Sequence, residues 1–487
     1  MDSSYHYGWT EITSVHASSV HWNRALNLSS SSPKTSDTTI ELTSSTSNYT
    51  TGQVSRAPSS ILRELRQRGL SALDATKKLK MFANAAKKIV QSDENRPCSL
   101  FYVPGRIEMC GKHTDYAGGR SLLCATSKGF CIASAPRDDA QVHIHTTFGM
   151  EQRKETAKLS LSTQCMPPHQ GHWTTYPAAA IRRLCSNFEG LEFGVDISIE
   201  CDLPESSGMS SSSAVICYMF MVLAKRNDLT SHPTFQKYLA SNPCDLYTYL
   251  GFIENGQSFS ETALKGDKGV GTSSFFFLST DFFSQRLFFS GTFGGSEDHT
   301  AIMSSVSRKL KLYSYCPTRH LRTVSWPSDL VLVVCVSGAK AEKTGGAMKD
   351  YNNAAFLSFA AARGLVKRGF EANTTFVKNR PNLAEIVNSS LTKDRSRDAL
   401  SACFQKLRDE LAKVDDGKTI RILDEKSSFC PAGSLVRRFT QFFWESEYIL
   451  PELADAFSKD DRKRIASLLE DSHERTVNEL LNTIPET

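Results

Sequence analysis

At 487 residues the chain exceeds the length that one hydrophobic core usually organises, so two domains with irregular extensions are expected. Apolar residues make up 40% and charged residues 22% of the chain, which is ordinary for a globular protein. The net charge of +5 is small for this length and comes with no block of Lys and Arg, so we expect no nucleic acid partner.

The thirteen cysteines are scattered, and neither a Cys-x-x-Cys pair nor a Cys/His cluster at zinc spacing occurs. This distribution argues against a disulfide framework and a structural zinc site, and it favours a reducing, cytoplasmic location. No apolar run approaches the ~20 residues of a membrane span, and the N-terminus lacks the charged and then apolar pattern of a signal peptide. We therefore expect no membrane partner.

The N-terminal region divides into two parts. Residues 1–57 are rich in Ser and Thr without sustained periodicity, which predicts a disordered leader; a targeting peptide is the weaker alternative because the segment carries acidic residues and little Arg. Over residues 60–91 apolar residues recur at helical spacing, and Gly69 interrupts the run. The pattern predicts an amphipathic helical hairpin, assigned to residues 58–97.

The globular part begins at Cys98, where residues 99–103 predict a strand that leads into a polar, glycine-rich stretch over residues 104–120. Each polar residue of this stretch, taken singly, is typical of a protein surface. Together, between strands, they indicate a site for a polar ligand. The charged and imidazole side chains include Arg106, Lys112, His113 and Asp115.

A second unusual stretch lies at residues 203–214, between an alternating apolar run that predicts a strand over 195–201 and an apolar segment that predicts a buried helix over 214–224. Gly208 permits a tight turn, and the serines after it present N–H groups and hydroxyls where a helix begins, so the loop suits an anion such as phosphate. A serine-rich helix cap explains the same residues without a ligand. The loop is not a Walker A motif, because no Gly-Lys-Ser/Thr follows.

These two stretches carry a resemblance to a known family. Residues 104–119, with Pro-Gly-Arg followed by Gly-Lys-His-Thr-Asp-Tyr-Ala-Gly-Gly, resemble the galactokinase signature, and residues 204–214 resemble the phosphate-loop motif of the GHMP small-molecule kinase superfamily. Further similarity occurs in the same order, so the resemblance covers roughly residues 98–487. The additional segments are residues 173–177, 254–259, 294–299 and 337–352.

The resemblance implies an α+β, two-domain GHMP kinase fold. Residues 98–324 correspond to the N-terminal ATP-binding domain, which is ribosomal-protein-S5-like, and residues 325–487 to a ferredoxin-like C-terminal domain. From the residues themselves we also expect a strand over 330–336 and a helix over 460–484.

The resemblance also implies a site for phosphoryl transfer, which needs the ATP phosphates, Mg²⁺, a group that faces the sugar hydroxyl, and a cation for the developing charge. Asp298 matches the aspartate that faces the hydroxyl, and Arg106 matches the arginine near both that aspartate and the phosphate. Ser212 and Glu254 match the Mg²⁺ ligands. The expected ATP-binding residues are Pro204, Gly208, Ser210, Ser211, Ser212 and Ser213, and the expected sugar contacts are His113, Asp115 and Tyr351.

One residue of the sugar signature departs from the family pattern. Galactokinases carry Glu before His-Thr-Asp, whereas this chain has Lys112, a cationic donor in place of an acceptor. We include Lys112 among the substrate-binding residues, because it argues against galactose itself and favours a sugar with a carboxylate or phosphate group. A solvated Lys112 that touches nothing is the alternative.

The sequence differs from the galactokinase pattern in two further features, an insertion and a missing motif. Residues 273–292 form a Phe-rich insertion before Asp298, which would be prone to aggregation as an exposed loop; we interpret it as a retained intron or a gene-model error, with a membrane-contacting loop as the alternative. No glycine occurs after Gly433, so the third, glycine-rich motif of galactokinases is missing. We therefore expect an incomplete C-terminal domain, weakened stability and low or absent activity.

The leading interpretation is an ATP-dependent sugar kinase that acts on galactose or a related sugar, with the anomeric hydroxyl as the expected acceptor. The alternative is a catalytically weak or inactive regulator that binds sugar and nucleotide, which the insertion and the missing motif favour. A pure binder need not keep Asp298, Arg106 and Glu254, so these residues favour the enzyme. A third possibility, a nonfunctional product, predicts no ligand binding. A monomer is the favoured oligomeric state.

Overall fold

The computed structural model describes residues 11–16, 57–89, 96–148, 153–169, 172–204, 208–267, 269–270, 294–334, 348–372, 381–423 and 430–481. The strands in these ranges are β1 Glu11–His16, β2 Pro97–Cys110, β3 Arg120–Pro136, β4 Gln141–Phe148, β5 Arg153–Ser160, β6 Val195–Cys201, β7 Lys309–Ser314 and β8 Arg319–Ser325.

The helices up to the site are α1 Ala57–Gln67, α2 Ala72–Ile89, α3 Thr175–Asn187, α4 Ser211–Arg226, α5 Pro233–Tyr238, α6 Pro243–Asn255 and α7 Glu297–Ser304. The later helices are α8 Met348–Lys367, α9 Leu383–Ser390, α10 Arg397–Ala412, α11 Gly417–Leu423, α12 Ser434–Trp444, α13 Leu450–Lys459 and α14 Arg462–Arg475. Two short π-helical segments, Glu445–Ile449 and Thr476–Leu480, follow α12 and α14.

The strands form one mixed sheet in the order β1-β2-β3-β6-β4-β5, with β7 beside the start of β3 and β8 outside β7. Neighbours are antiparallel except for β4 and β6, which run parallel. The sheet is covered on both faces because its strands alternate: Phe130 and Ile132 of β3 join the main core, whereas Cys131 and Ala133 pack against α1 and α2. Helix α4 runs through the main core and is buried from Ser213 to Ala224.

Several sequence predictions are confirmed. Helices α1 and α2 form the expected hairpin, and Gly69 between them has a positive φ of 91°. Strand β6 and helix α4 flank the serine-rich loop as predicted. One basic residue of the hairpin is not solvated, because Lys78 is buried at 1% exposure and pairs with Asp202.

The leader and the Phe-rich insertion lie mostly outside the described residues. Glu11–His16 departs from the expected disorder, because it forms β1 and pairs antiparallel with β2. Without β1, strand β2 would be an edge strand with unpaired backbone groups, and a short segment can satisfy them by pairing with it. Residues 273–292 fall outside the described ranges, so the interpretation of the insertion stays a prediction.

The region after Ser325 differs from expectation in one respect. The strand predicted over residues 330–336 is wrong for residues 330–334, which form no regular element and leave Val331 82% exposed and Val333 73% exposed. A strand needs a neighbour for its backbone groups, and no described strand pairs with this segment. All regular elements described after Ser325 are helical, and the ferredoxin-like domain stays a prediction.

No helix in the described ranges is both long and apolar enough to cross a membrane.

The buried pair that joins α2 to the sheet provides a test of this packing. Lys78 Nζ donates to Asp202 Oδ1 over 2.5 Å, and Lys78 is 1% exposed. Asp202→Asn should lower the free energy of unfolding by about 3 kcal/mol at pH 7 in urea denaturation, because it leaves a buried ammonium without its counter-charge. The matched control Glu64→Gln, in an exposed pair with Arg68, should cost under about 1 kcal/mol.

The pH dependence of this difference follows from the pKa of Asp202. Burial raises that pKa, but the charge and hydrogen bond of Lys78 outweigh it and hold the pKa below its ordinary value of 3.8. A depressed carboxyl pKa stabilises the fold above the unfolded-state pKa, and the stabilisation is lost only as the pH falls through the folded-state value. The difference between Asp202→Asn and the parent should therefore stay constant from pH 7 to about pH 5. A difference that vanished by pH 5 would contradict the assigned pair.

Candidate active site

Arg106 is brought into the site by an irregularity in β2. The pairing of β2 with β3 shifts between Pro104 and Arg106, and such a bulge changes the direction of a side chain. Arg106 Nε donates to Asp298 Oδ1 over 2.6 Å, and a terminal guanidinium nitrogen donates to the carbonyl of Gly208 over 2.7 Å. One side chain thus joins Asp298 to the phosphate loop, by which we mean residues 204–213.

Helix α7 supplies the other partner of this pair, since Asp298 lies in its first turn. The positive end of a helix dipole favours a carboxylate there. Burial alone would lower the pKa of Arg106, but the negative charge of Asp298 raises it above its ordinary value, so Arg106 is a permanent cation. The pair is a charge-assisted hydrogen bond between two largely buried side chains.

The phosphate loop enters α4 through two residues with positive φ. Gly208 has a φ of 71° and Ser210 a φ of 58°, and Ser210 precedes the first residue of α4. The Ser210 side chain makes no capping hydrogen bond, although Ser210 is only 4% exposed. The serine-rich cap considered from the sequence is therefore not formed by Ser210. Pro204 is half-buried, and residues 205–207 lie outside the described ranges.

The three serines of the first turn of α4 differ in exposure. Ser211 is exposed, Ser212 is half-buried and Ser213 is buried at 1% exposure. Ser213 Oγ lies 2.8 Å from Glu254 Oε2 and 3.3 Å from Asp298 Oδ2. No described contact joins Ser212 to Glu254, so its role as a metal ligand stays a prediction. Successive helix residues point about 100° apart, which is why only one of the three faces inward.

Glu254 lies in the last turn of α6 and is 8% exposed. Ser213 donates a hydrogen bond to its Oε2, and His299 Nε2 lies 3.1 Å from the same oxygen without forming a hydrogen bond to it. His299 itself is buried at 1% exposure and follows Asp298 in α7. The site therefore joins α4, α6 and α7 through one carboxylate oxygen.

The donors at this point suit Mg²⁺. Glu254 and the serine hydroxyls are hard oxygen ligands, and Mg²⁺ in kinases is held by one or two carboxylates together with substrate phosphates and water. The described residues contain no group of three or more His, Cys, Asp or Glu that could hold a metal by themselves. The residues present therefore fit an ion that arrives with a nucleotide better than a resident metal.

Asp115 lies close to the start of α7. Its two oxygens accept hydrogen bonds from the backbone N–H of Tyr116, over 2.8 Å, and of Glu297, over 3.4 Å. Burial and the charge of Asp298 raise the pKa of Asp115 to about 6. The close approach requires a glycine, because a Cβ on Gly295 would lie 2.2 Å from Asp115 Oδ2.

Two further carboxyl groups complete the acidic surroundings of Arg106. Burial and the charges of Glu108 and Asp115 raise the pKa of Glu297 well above its ordinary value. Glu108 Oε1 is buried, and no described residue forms a hydrogen bond with it. Both residues lie in the motif segments 104–119 and 294–299, but the sequence pattern predicts no role for either, because their burial depends on contacts between distant segments.

The loop that carries the expected sugar contacts is fixed by the C-terminal helices. His113 has a positive φ of 62°, and its Nδ1 lies 3.0 Å from the Tyr116 hydroxyl. Arg438 of α12 donates to the His113 carbonyl, and Gln441 donates to the Lys112 carbonyl over 3.3 Å. The backbone at this end of the site is thus held by residues more than 300 positions away in the sequence.

Lys112 lines a cavity of about 430 Å³ beside the catalytic candidates. The Lys112 side chain is exposed, and no described residue forms a hydrogen bond or ion pair with its Nζ. Tyr351 lies in the first turn of α8, and its side chain is outside what the structure describes. The cavity lining includes Arg106, Glu108, Lys112, Gly208 and His473.

Two family models match the chain. The galactokinase galactose-binding signature matches residues 89–136, which include Arg106, Lys112, His113 and Asp115. The GHMP kinases N terminal domain matches residues 175–239, which include the phosphate loop. Galactokinase from Haemophilus influenzae (strain PittEE) is 31% identical over 132 residues, 27% of this chain and 33% of that protein. Galactokinase from Bacillus subtilis (strain 168) is 30% identical over 131 residues, 27% of this chain and 33% of that protein.

The matched stretch therefore spans about a third of the length of these curated relatives. The fold agrees over a longer range: the crystal structure of Lactococcus lactis galactokinase complexed with galactose matches with a TM-score of 0.52 and covers 82% of this chain and 80% of that chain. At 15% identity, this similarity shows the fold alone. Over residues 89–136 and 175–239 the chain is therefore similar to galactokinases and to the N-terminal domain of GHMP kinases, and its fold matches that of a galactokinase structure.

Proposed function

We propose that this chain is an ATP-dependent sugar kinase that transfers the γ-phosphoryl group of ATP to a hydroxyl of galactose or a related sugar, with the anomeric hydroxyl as acceptor. The observation that carries the proposal is the Arg106–Asp298 pair, 2.6 Å apart, next to the phosphate loop. The similarity to GHMP kinases supports the reaction type, since phosphoryl transfer depends on positioning and charge stabilisation more than on covalent chemistry.

In the proposed reaction Asp298 faces the sugar hydroxyl and Arg106 faces the transferred phosphoryl group. The strong pairing with Arg106 favours the ionised form of Asp298, which makes it a weak base. Asp298 then acts mainly by accepting a hydrogen bond from the hydroxyl and fixing its direction, and it takes the proton as the new O–P bond forms. Arg106 offsets the negative charge that develops on the phosphoryl oxygens.

The phosphate loop holds the nucleotide in this proposal. The uncapped first turn of α4 presents backbone N–H groups, and the positive φ of Gly208 and Ser210 shapes the entry to the helix. Mg²⁺, if bound there, would supply positive charge that offsets the charge of the nucleotide phosphates. Ser212 and Glu254 are the residues that would hold it, and Glu254 already accepts a hydrogen bond from Ser213.

The sugar is proposed to lie between Asp115, His113 and Asp298. A buried polyol needs a directional partner for each hydroxyl, and an ionised Asp115 offers acceptors while His113 can offer a donor. Tyr351 remains a proposed contact. Lys112 faces a cavity rather than a protein partner, so a sugar with an anionic substituent stays within the proposed substrate class.

The first test is ATP turnover with Mg²⁺ against galactose, glucose, arabinose, galacturonate, N-acetylgalactosamine and a heptose. Asp298→Asn should lower kcat for the preferred sugar by at least about 10³-fold, because it removes the group that orients the hydroxyl and takes its proton. ADP release measures the rate, and calorimetry should show that the variant still binds sugar.

The control is Asp398→Asn, which changes an exposed aspartate in the first turn of helix α10 and should leave kcat within about twofold. An Asp298→Asn enzyme that kept its turnover would refute the assignment. Sugar binding without turnover in the parent chain would instead support the regulator, the alternative function.

The second test uses the raised pKa of Asp115. The carboxylate is the form that accepts hydrogen bonds from the sugar, and a pKa of about 6 means that it is lost as the pH falls through that value. The dissociation constant for sugar, measured by calorimetry without ATP, should therefore rise about tenfold for each pH unit below the pKa.

Two variants, Asp115→Asn and Asp298→Asn, test whether Asp115 is the group that causes this pH dependence. Asp115→Asn should bind sugar weakly with little pH dependence between pH 5 and 7.5, on the order of a factor of two. Asp298→Asn should move the midpoint to a lower pH, because the charge of Asp298 contributes to the raised pKa of Asp115. A pH profile that was unchanged in both variants would exclude Asp115 as the titrating sugar ligand.

A further inference from the structure

The Ser213 hydroxyl lies between two carboxylates that the proposed reaction uses separately. Ser213 Oγ is 2.8 Å from Glu254 Oε2 and 3.3 Å from Asp298 Oδ2. We propose that Ser213 is a positioning residue whose single proton is shared between Glu254 and Asp298, and that it couples engagement of the metal at Glu254 to orientation of Asp298. The inference rests on the proposed kinase function and goes beyond the phosphate-binding role that the sequence predicts for Ser213.

The burial of Ser213 sets it apart from an ordinary helix serine. A serine inside a helix usually points to solvent or bonds to a carbonyl one turn earlier. Ser213 is 1% exposed, and its hydroxyl instead reaches carboxylates on α6 and α7. A hydrogen bond to an ionised group offsets the cost of burying a hydroxyl, so the contact specifies this position of the side chain.

The coupling between Glu254 and Asp298 follows from the number of protons that the Ser213 hydroxyl can donate. A serine has one proton to donate, so it can satisfy only one of the two carboxylates at a time. The shorter distance shows that Glu254 is the acceptor in this structure. If Glu254 Oε2 coordinated a cation, the Ser213 hydroxyl could rotate and donate its hydrogen bond to Asp298 Oδ2 instead. Arg106 already donates a hydrogen bond to Asp298 Oδ1. Both oxygens of Asp298 are then fixed, and the carboxylate plane is set for the incoming hydroxyl.

This coupling predicts that Ser213→Ala weakens catalysis but strengthens Mg²⁺-dependent binding of ATP. The kcat should fall about ten- to a hundredfold, because Asp298 loses one charge-assisted hydrogen bond, while KM for sugar stays within about twofold. The Mg²⁺ concentration needed for half-maximal ATP binding should fall about two- to tenfold, because no hydrogen bond to Glu254 has to break when the ion binds. ATP binding is measured by calorimetry over a Mg²⁺ series without sugar, so it does not depend on turnover.

Two further variants separate positioning from folding. Ser213→Thr keeps the hydroxyl and should restore both kcat and the Mg²⁺ dependence towards the parent values. Ser358→Ala removes a hydroxyl that is equally buried but bonded to the carbonyl of Ala355, and it should alter neither. Thermal unfolding of Ser213→Ala and Ser358→Ala should show similar small losses in Tm.

The outcomes distinguish the two proposals. If the parent chain turns over sugar and Ser213→Ala matches it, or binds Mg²⁺–ATP more weakly than the parent, the coupling is wrong and the kinase proposal stands. If no sugar is phosphorylated but Ser213→Ala still tightens Mg²⁺-dependent ATP binding, the kinase proposal fails. The result would still support competition between the Ser213 hydroxyl and the metal ion for Glu254. If the parent shows no Mg²⁺-dependent ATP binding, both are refuted.

Discussion

The salt bridge between Arg106 and Asp298 is the interaction on which the candidate site depends. Arg106 lies among carboxyl groups that raise one another's pKa, and it is the cation that pairs with Asp298. Buried charges of one sign are costly unless a counter-charge is desolvated with them. Because the same guanidinium holds the carbonyl of Gly208, the charge balance of the site also fixes the position of the phosphate loop. Electrostatics and loop geometry are therefore not separable here.

Local backbone irregularities direct these groups at one another. The register shift in β2 turns Arg106 towards α7, and the left-handed residue Ser210 turns the chain from the loop into α4. Gly295 lets the start of α7 approach Asp115 more closely than any side chain would allow. Each irregularity is stabilised by regular structure beside it. The unusual backbone conformations therefore lie at the site, and the sheet holds them in place.

The sequence could predict the site motifs because polar residues between glycines stand out against apolar strands and helices, as at Arg106 and Asp115. It could not predict which of three consecutive serines faces inward, since that depends on the exact start of α4, and so Ser213 was assigned to phosphate alone. Residues 330–334 read as a strand because they are apolar, but a strand also needs a neighbour, which composition does not reveal. Glu11–His16 is the opposite case. Its sequence pattern predicts no strand, but it forms one because it can pair with β2.

The C-terminal helices hold the signature loop that carries the proposed sugar contacts. Arg438 connects the carbonyls of His113 and Ala354, and Glu445 accepts from the backbone of Gly111 over 2.9 Å. A loop residue with positive φ, such as His113, keeps its conformation only when its surroundings hold it there. The direction of the His113 side chain is therefore set by α12 and the segment after it. Changes in that distant region should therefore shift the proposed sugar contacts before they shift the Arg106–Asp298 pair, because they act through the backbone of the loop rather than through the charges of the site.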